Sequence, residues 1–457
     1  MPPRRFTLLA LVLAAAPIAT VAQTATPTLP FGALRDQATL RQGWLERRLT
    51  DVLPRLMRAH GVGMWIVPSR EYNEDPVFFA LVGPTTFAAR RRTILVFCDR
   101  GPDHGFERYS IGGSDHGGLY TLVRDSTAPV GVAGARRRPA EPFGPEQWRL
   151  LVPLVERCDP PTIAVNISPT HAFADGLTVG EWEQLWAALP ERYRARVVRR
   201  ERLPIEYLEE RLPEMLPSYR QMQAWVHDLL RTAFSRAVIT PGVTRTDDVV
   251  WWLRERVRAA GLEVWFQPSV TVQRAGVEMS DSANPVIRPG DLLHVDFGIR
   301  ALGLCTDTQH MGYVLRPGEA DAPAGLVAAL ARAHRLQDLV LEELEPGRTG
   351  NEVLRRVRAR MAAEGIDGSV YSHPIGDHGH GAGPLIGLWD RQDGVPGRGE
   401  LPVRPNTWFS IELQATSAVP EWGGQRVRIA LEEEAYLDAA GRRAWVLGRQ
   451  ERFYLVR

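Results

Sequence analysis

The chain has 457 residues, enough for about two or three domains. Hydrophobic residues make up 44% and charged residues 24%, with 55 basic against 54 acidic groups and a formal net charge of +1. That balance excludes a disordered polymer, a collagen and a multi-span membrane protein, and gives no electrostatic reason to expect a nucleic-acid partner. All the basic residues are arginine. Without a lysine, Schiff-base chemistry, a pyridoxal-phosphate lysine and a Walker A loop are excluded, because each needs the primary amine.

Residues 1–22 read as a secretory signal. Arg4 and Arg5 precede an apolar run from Phe6 to Ala16 that is too short to span a bilayer, and Thr20 and Ala22 are small residues before a cut at Gln23. The expectation is export to the periplasm or medium without stable membrane insertion. Cys98, Cys158 and Cys305 are the only cysteines. They are too few and too widely spaced for a disulfide framework or a cysteine zinc site, and no bridge is expected.

Residues 23–212 are assigned to a small α/β domain with its linker. Trp44 to His60 has helical spacing, and Gly61 and Gly63 end it. Met64 to Val67 is a short strand closed by Pro68; Thr93 to Phe97 and Thr162 to Val165 are further buried strands. Gly134 to Pro145 reads as loop, with Arg136, Arg137 and Arg138 a solvated run. Glu201 to Pro217, rich in charge and proline, reads as a helical or extended linker. Residues 213–457 form the second domain, which contains a weak repeat. Pro241-Gly242-Val243-Thr244 and Pro346-Gly347-Arg348-Thr349 each open a helix, stopped by Gly261 and Gly365. A longer amphipathic helix precedes each copy, Tyr219 to Arg236 and Leu326 to Glu345, which suggests two halves about a pseudo-twofold axis.

The chemistry lies in this second domain. Asp291 to Leu315 reads as a β-hairpin turning near Leu302-Gly303, with Asp296 on the outgoing strand and Asp307 on the return, 11 residues later. Two acids facing each other across a hairpin repel unless a cation lies between them. His373, His378 and His380 follow a strand-like Ser369-Val370-Tyr371. Glu412 sits inside the apolar strand Thr407 to Leu413, and Glu432, Glu433 and Glu434 sit on Val427 to Leu437. The ordered set is Asp, Asp, His, Glu, Glu, divided between the two halves.

These residues resemble the creatinase/methionine aminopeptidase group, which includes prolidase and the Xaa-Pro aminopeptidases. The matching segments are VDFG with Asp296, CTDT with Asp307, HPIGDHGH with His373, FSIEL with Glu412 and VRIALEEE with Glu432. The resemblance covers roughly residues 215–450 and implies a mixed α+β chain: a small creatinase-type α/β domain followed by a pita-bread catalytic domain. It implies Asp296, Asp307, His373, Glu412 and Glu432 as ligands of two divalent ions. Manganese is favoured, with cobalt, iron or zinc as alternatives. Glu412 is implied as general base and proton shuttle, and His380 as the imidazole that hydrogen-bonds the substrate. His380 also partly matches the ligand motif, so the register between it and His373 stays open, as does Glu432 against Glu433. His378 is read as a surface or supporting residue.

The implied activity is cleavage of the N-terminal Xaa-Pro bond of a small peptide or dipeptide, by a protein expected to form a homodimer. Two other readings stay open: a hydrolase or lyase of a small non-peptide substrate, and a silent binding module on the same fold. The sequence departs from the family at three places: Gly381 follows His380 where an acid is usual, Gly381 to Trp389 reads as an insertion beside the pocket, and a family histidine is missing. The family peptidases carry a further His about 17 residues before the first Asp, where this chain has Val277-Glu278-Met279-Ser280-Asp281. Trp389, Trp408 and Trp422 are candidates to line an apolar pocket, with core packing as the alternative.

Overall fold

A computed structural model describes residues 29–125, 130–133, 136–139, 144, 146–277 and 283–457. The signal segment 1–22 and positions 278–281 of the stretch lacking the family histidine lie outside the described residues. Among those described, no helix is long and apolar enough to cross a membrane.

The chain opens with α1 (Leu34–Arg47), which passes through one π-type turn at Arg48–Val52 into α2 (Leu53–Ala59). The predicted helix over Trp44 to His60 therefore exists but begins ten residues earlier. The wider turn carries Arg48, which is 5% exposed, into the interior. Gly61, at φ +61°, supplies the left-handed residue that stops the helix.

The first sheet contains β1 (Met64–Arg70), β2 (Arg92–Asp99), β3 (Phe106–Ile111), β4 (Thr121–Val123), β5 (Ile163–Val165) and β6 (Val197–Arg199), in the order β4-β3-β2-β1-β5-β6. Strand β1 runs through Pro68 instead of ending there. Its neighbour β5 pairs only with Met64 and Trp65, so that side of β1 is free at Pro68 and the missing N–H breaks no ladder bond. The segment read as loop from Gly134 includes one strand, Arg136–Pro139, paired antiparallel with Val130–Ala133. Helix α3 (Glu146–Cys158) packs on this sheet and brings Cys158 to Cys98 at the end of β2. The two form a disulfide with a Cα–Cα distance of 6.4 Å, which overturns the expectation of none. The spacing of 60 residues along the chain concealed a contact that helix-on-sheet packing creates. Cys305 is free and buried.

The segment read as a linker is a buried strap. Its helix α4 (Arg202–Glu209) is buried from Leu203 to Glu209, and the Tyr207 hydroxyl donates to the Ala80 carbonyl. One apolar core runs from Trp44 and Trp65 through Tyr207 to Phe297, joining the two halves.

The repeat predicted in the second half is present. Helices α5 (Leu216–Ala233) and α6 (Thr246–Ala259) are matched by α7 (Ala324–Glu343) and α8 (Gly350–Ala363), and α6 and α8 are both 14 residues long. Thr349 caps α8 through a reciprocal hydrogen-bond pair with Glu352. The large sheet contains β7 (Ser269–Gln273), β8 (Leu292–Phe297), β9 (Thr308–Val314), β10 (Asp367–Val370), β11 (His373–Pro374), β12 (Thr407–Val419) and β13 (Gln425–Leu437). Its main order is β7-β8-β9-β13-β12-β10, with β11 also against β12. The predicted hairpin is β8 with β9, and its tip turns through Leu302 (φ +54°) and Gly303 (φ +75°). Helices α7 and α8 cover one face of the sheet over Phe409, Ile411, Leu413 and Ile429.

Candidate metal centre

Register decides what lies on the uncovered face. Asp296 pairs with Gln309, Gln309 with Glu432, and Glu432 with Glu412, each directly across neighbouring strands. Four polar side chains thus form one row across β8, β9, β13 and β12. Alternation along each strand points facing pairs to the same side. Asp307 enters at the start of β9, and His373 on β11 sits opposite Ser410.

All five residues implied as metal ligands converge. His373 Nε2 lies 3.4 Å from Glu432 Oε1, 3.7 Å from Asp307 Oδ2 and 3.9 Å from Glu412 Oε2. Asp296, Asp307 and Glu432 form a further group with donor atoms within 4.8 Å of one another. The His373 Nδ1–H donates to the Pro374 carbonyl at 3.0 Å, which leaves Nε2 as a free lone pair aimed at the acids. Three atoms in the cluster are buried with no hydrogen-bond partner: Asp296 Oδ1, Asp307 Oδ1 and His373 Nε2. Burial, followed by the Glu432 charge, pushes the Asp296 carboxyl up to about 8 and those of Asp307 and Glu412 well above their usual range. Four carboxylates and one imidazole, several atoms unsatisfied, form an oxygen-rich donor set that suits divalent cations and is costly without them.

Glu432 takes the ligand position, and Glu433 points to the other side of the sheet. There Glu433 accepts hydrogen bonds from His227 at 3.0 Å and His310 at 2.6 Å, and these imidazoles hold its carboxyl down to about 2 in spite of burial. These partners satisfy the cluster without a metal. His380 approaches His373 with ring centroids 4.8 Å apart, and it also meets Trp265 edge-on. Burial, then the His373 ring, pushes its imidazole down to about 4, so it is neutral at pH 7. His378 is not part of the cluster; its ring packs on Phe173.

Several contributors escaped sequence reading. Gln309 Nε2 donates to both Glu412 Oε1 and Glu432 Oε2, while its Oε1 meets His294 Nε2 at 2.9 Å. Glu434 accepts the Asp307 backbone N–H at 2.8 Å and is in turn close to the Tyr219 hydroxyl. The available signal was alternation, since Glu434 is two residues beyond Glu432 and Gln309 is two beyond Asp307. Asp377, between His373 and His380, accepts from Arg48 and Arg211 at 2.9 Å each. Although burial acts in the opposite direction, those two guanidiniums hold its carboxyl down to about 2. Nothing in the sequence pointed to that contact, which joins residues 329 positions apart.

The cluster opens into a cavity of about 500 Å³ lined by His294, Tyr371, His380, Trp389, Arg398 and Arg428 among others. Of the three tryptophans considered, Trp389 lines this cavity. Trp408 stacks on Tyr219, and Trp422 belongs to the core under α7. Arg398 donates to the Gly381 and Gly383 carbonyls, and burial pushes it down to about 10.

Residues 218–432 match the profile of Metallopeptidase family M24. That segment, just under half of the chain, is similar to the family M24 metallopeptidases. The architecture of the chain also matches solved structures. It aligns with an X-Pro aminopeptidase from Thermotoga maritima at a TM-score of 0.60 and 16% identity, covering 88% of this chain and 100% of that one. An Xaa-Pro dipeptidase from Bacillus anthracis aligns at 0.56 and 12% identity, covering 92% and 100%. At those identities the likeness establishes the pita-bread fold. A dimethylsulfoniopropionate lyase, DddP, from Roseovarius nubinhibens is 26% identical over 229 residues. That match spans 46% of this chain and 45% of the relative, just under half of each.

Proposed function

We propose that this M24 domain is a dinuclear metal hydrolase that cleaves the N-terminal Xaa-Pro bond of small peptides or dipeptides. The observation that carries the reading is the convergence of Asp296 Oδ1, Asp307 Oδ1 and His373 Nε2, all buried and unpartnered, beside a 500 Å³ cavity that Asp296 and His373 line. Asp296, Asp307, His373, Glu412 and Glu432 hold two divalent ions, and the oxygen-rich set favours manganese. Bound cations of this kind polarise a carbonyl oxygen and acidify a water molecule. Glu412 then acts as general base and proton shuttle. Burial, then the Glu432 charge, raises the affinity of its carboxyl for a proton. His380 keeps a neutral imidazole beside His373 and donates one hydrogen bond to the substrate oxygen. Export accords with the Cys98–Cys158 bridge, since disulfides persist in oxidising compartments. The reading includes a homodimer of two-domain chains, with the boundary near residue 212.

A second reading is favoured by two observations: the lyase relative, and the arginines Arg398 and Arg428 in the cavity wall, which make no ion pair with a described residue. It keeps the metals but takes a small anionic non-peptide substrate.

The test is elemental analysis of purified protein together with turnover of Xaa-Pro dipeptides, Xaa-Pro tripeptides and small carboxylates. About two transition-metal ions per chain are expected, with peptide release of the N-terminal residue and loss of both metal and activity in Asp307→Ala. Turnover confined to the carboxylates selects the second reading. Metal content unchanged in Asp307→Ala defeats the ligand assignment.

A further inference from the structure

On the far side of the His373–His380 loop, away from the metal cluster, a cleft separates α1 from the tip of the β8–β9 hairpin. It contains a cavity of about 110 Å³ lined by Arg41, Trp44, Arg48, Arg300, Asp377 and His378 among others. A shallower groove continues outward past Arg41, Arg300, Leu302 and Gly303. Three guanidiniums line the inner cavity. Its single carboxylate, Asp377, is already engaged by Arg48 and by Arg211 behind it. Among the described residues, neither Arg41 nor Arg300 has an ion-pair partner. The buried Nε of Arg48 also lacks a hydrogen bond. Glu263, on the strand beside Arg300, lines the outer groove and pairs with neither arginine. Burial, then the neighbouring Arg300 charge, pushes the Arg41 guanidinium below its usual range although Asp377 acts in the opposite direction, so the positive charge of the site is only partly offset.

We propose that this cleft is a binding site for a phosphate group, free or carried on a small monoester. Planar guanidinium forks suit a tetrahedral oxyanion. Two uncompensated positive charges match a phosphate, which carries about −1.5 to −2 at pH 7, better than a monoanionic carboxylate. A cavity of 110 Å³ has room for several waters or one such group. The metal cluster uses none of these arginines, so the proposal stands apart from the peptidase reading.

The test is isothermal titration of inorganic phosphate into metal-loaded, full-length protein and into Arg41→Gln and Arg300→Gln. The second variant removes an exposed side chain and leaves the core untouched. One phosphate per chain is expected in wild type, weakened at least about tenfold in each variant, with metal content unchanged and acetate unable to compete. Glycerol phosphate distinguishes the source: tighter binding than inorganic phosphate assigns a monoester, weaker binding assigns the free ion. An isotherm unchanged in both variants places the phosphate on the metals and overturns the proposal. So does the absence of an isotherm with wild type at millimolar phosphate.

Discussion

Glu432 stands directly opposite Glu412 across β12 and β13, and one side-chain amide, that of Gln309, donates to an oxygen of each. Two carboxylates brought this close repel, and the shared donor holds them in one orientation. Gln309→Ala should therefore weaken metal binding by about 10- to 100-fold without touching a ligand. Metal-buffer titration checks this, and wild-type affinity in the variant would show the amide to be idle.

The metal-free protein should lose stability as pH rises from about 6.5 to 8. Asp296 is raised to about 8 in the folded state and Asp307 and Glu412 are raised further, so the native state holds more protons than the unfolded chain in that window. The imidazoles of His294 and His380, pushed down to about 4, act with the opposite sign, but only below about 6.5. Thermal melts of chelated protein should show a falling Tm between these limits, and added divalent metal should reduce the slope to the part left by Glu209, which burial raises to about 8 away from the cluster. A chelated Tm that rises over the same window contradicts the repulsive cluster.

The Cys98–Cys158 bridge closes a separation of 60 residues, for which chain entropy gives about 4 kcal/mol. The double variant Cys98→Ala, Cys158→Ala should unfold at lower urea with little change in kcat, because the bridge lies in the first sheet. Equal urea midpoints in oxidised wild type and variant would remove any stabilising role for it.

Asp377 links the segment between His373 and His380 to Arg48 of the N-terminal helix region and Arg211 of the strap. Asp377→Asn should destabilise the chain by about 3–5 kcal/mol, because it leaves buried guanidiniums uncompensated. It should also lower kcat while metal content stays at the wild-type level. Comparing kcat with KM and metal content separates mispositioning of His380 from simple loss of fold.

Much of the site was legible because its ligands lie on strands with strong apolar patterns, and the 11-residue interval from Asp296 to Asp307 fixes a hairpin. Alternation alone placed Glu433 opposite to Glu432. Contacts made by packing were not legible. The disulfide depends on how α3 lies on the first sheet. The burial of Arg48 depends on a π-turn that no spacing announces. Pro68 misled for a related reason: proline ends a strand only where its missing N–H is needed, and here β5 stops short of it.

The three consecutive glutamates of β13 answer to three different neighbourhoods, which makes the strand self-checking. Sliding it by one residue would present Glu433 to the cations and strand Glu432 against His227 and His310, reversing every inward and outward side chain at once. The imidazole pair on the far face thus works as a key that admits a single alignment. Damage there, at a distance from the chemistry, should scramble the centre as surely as loss of a ligand.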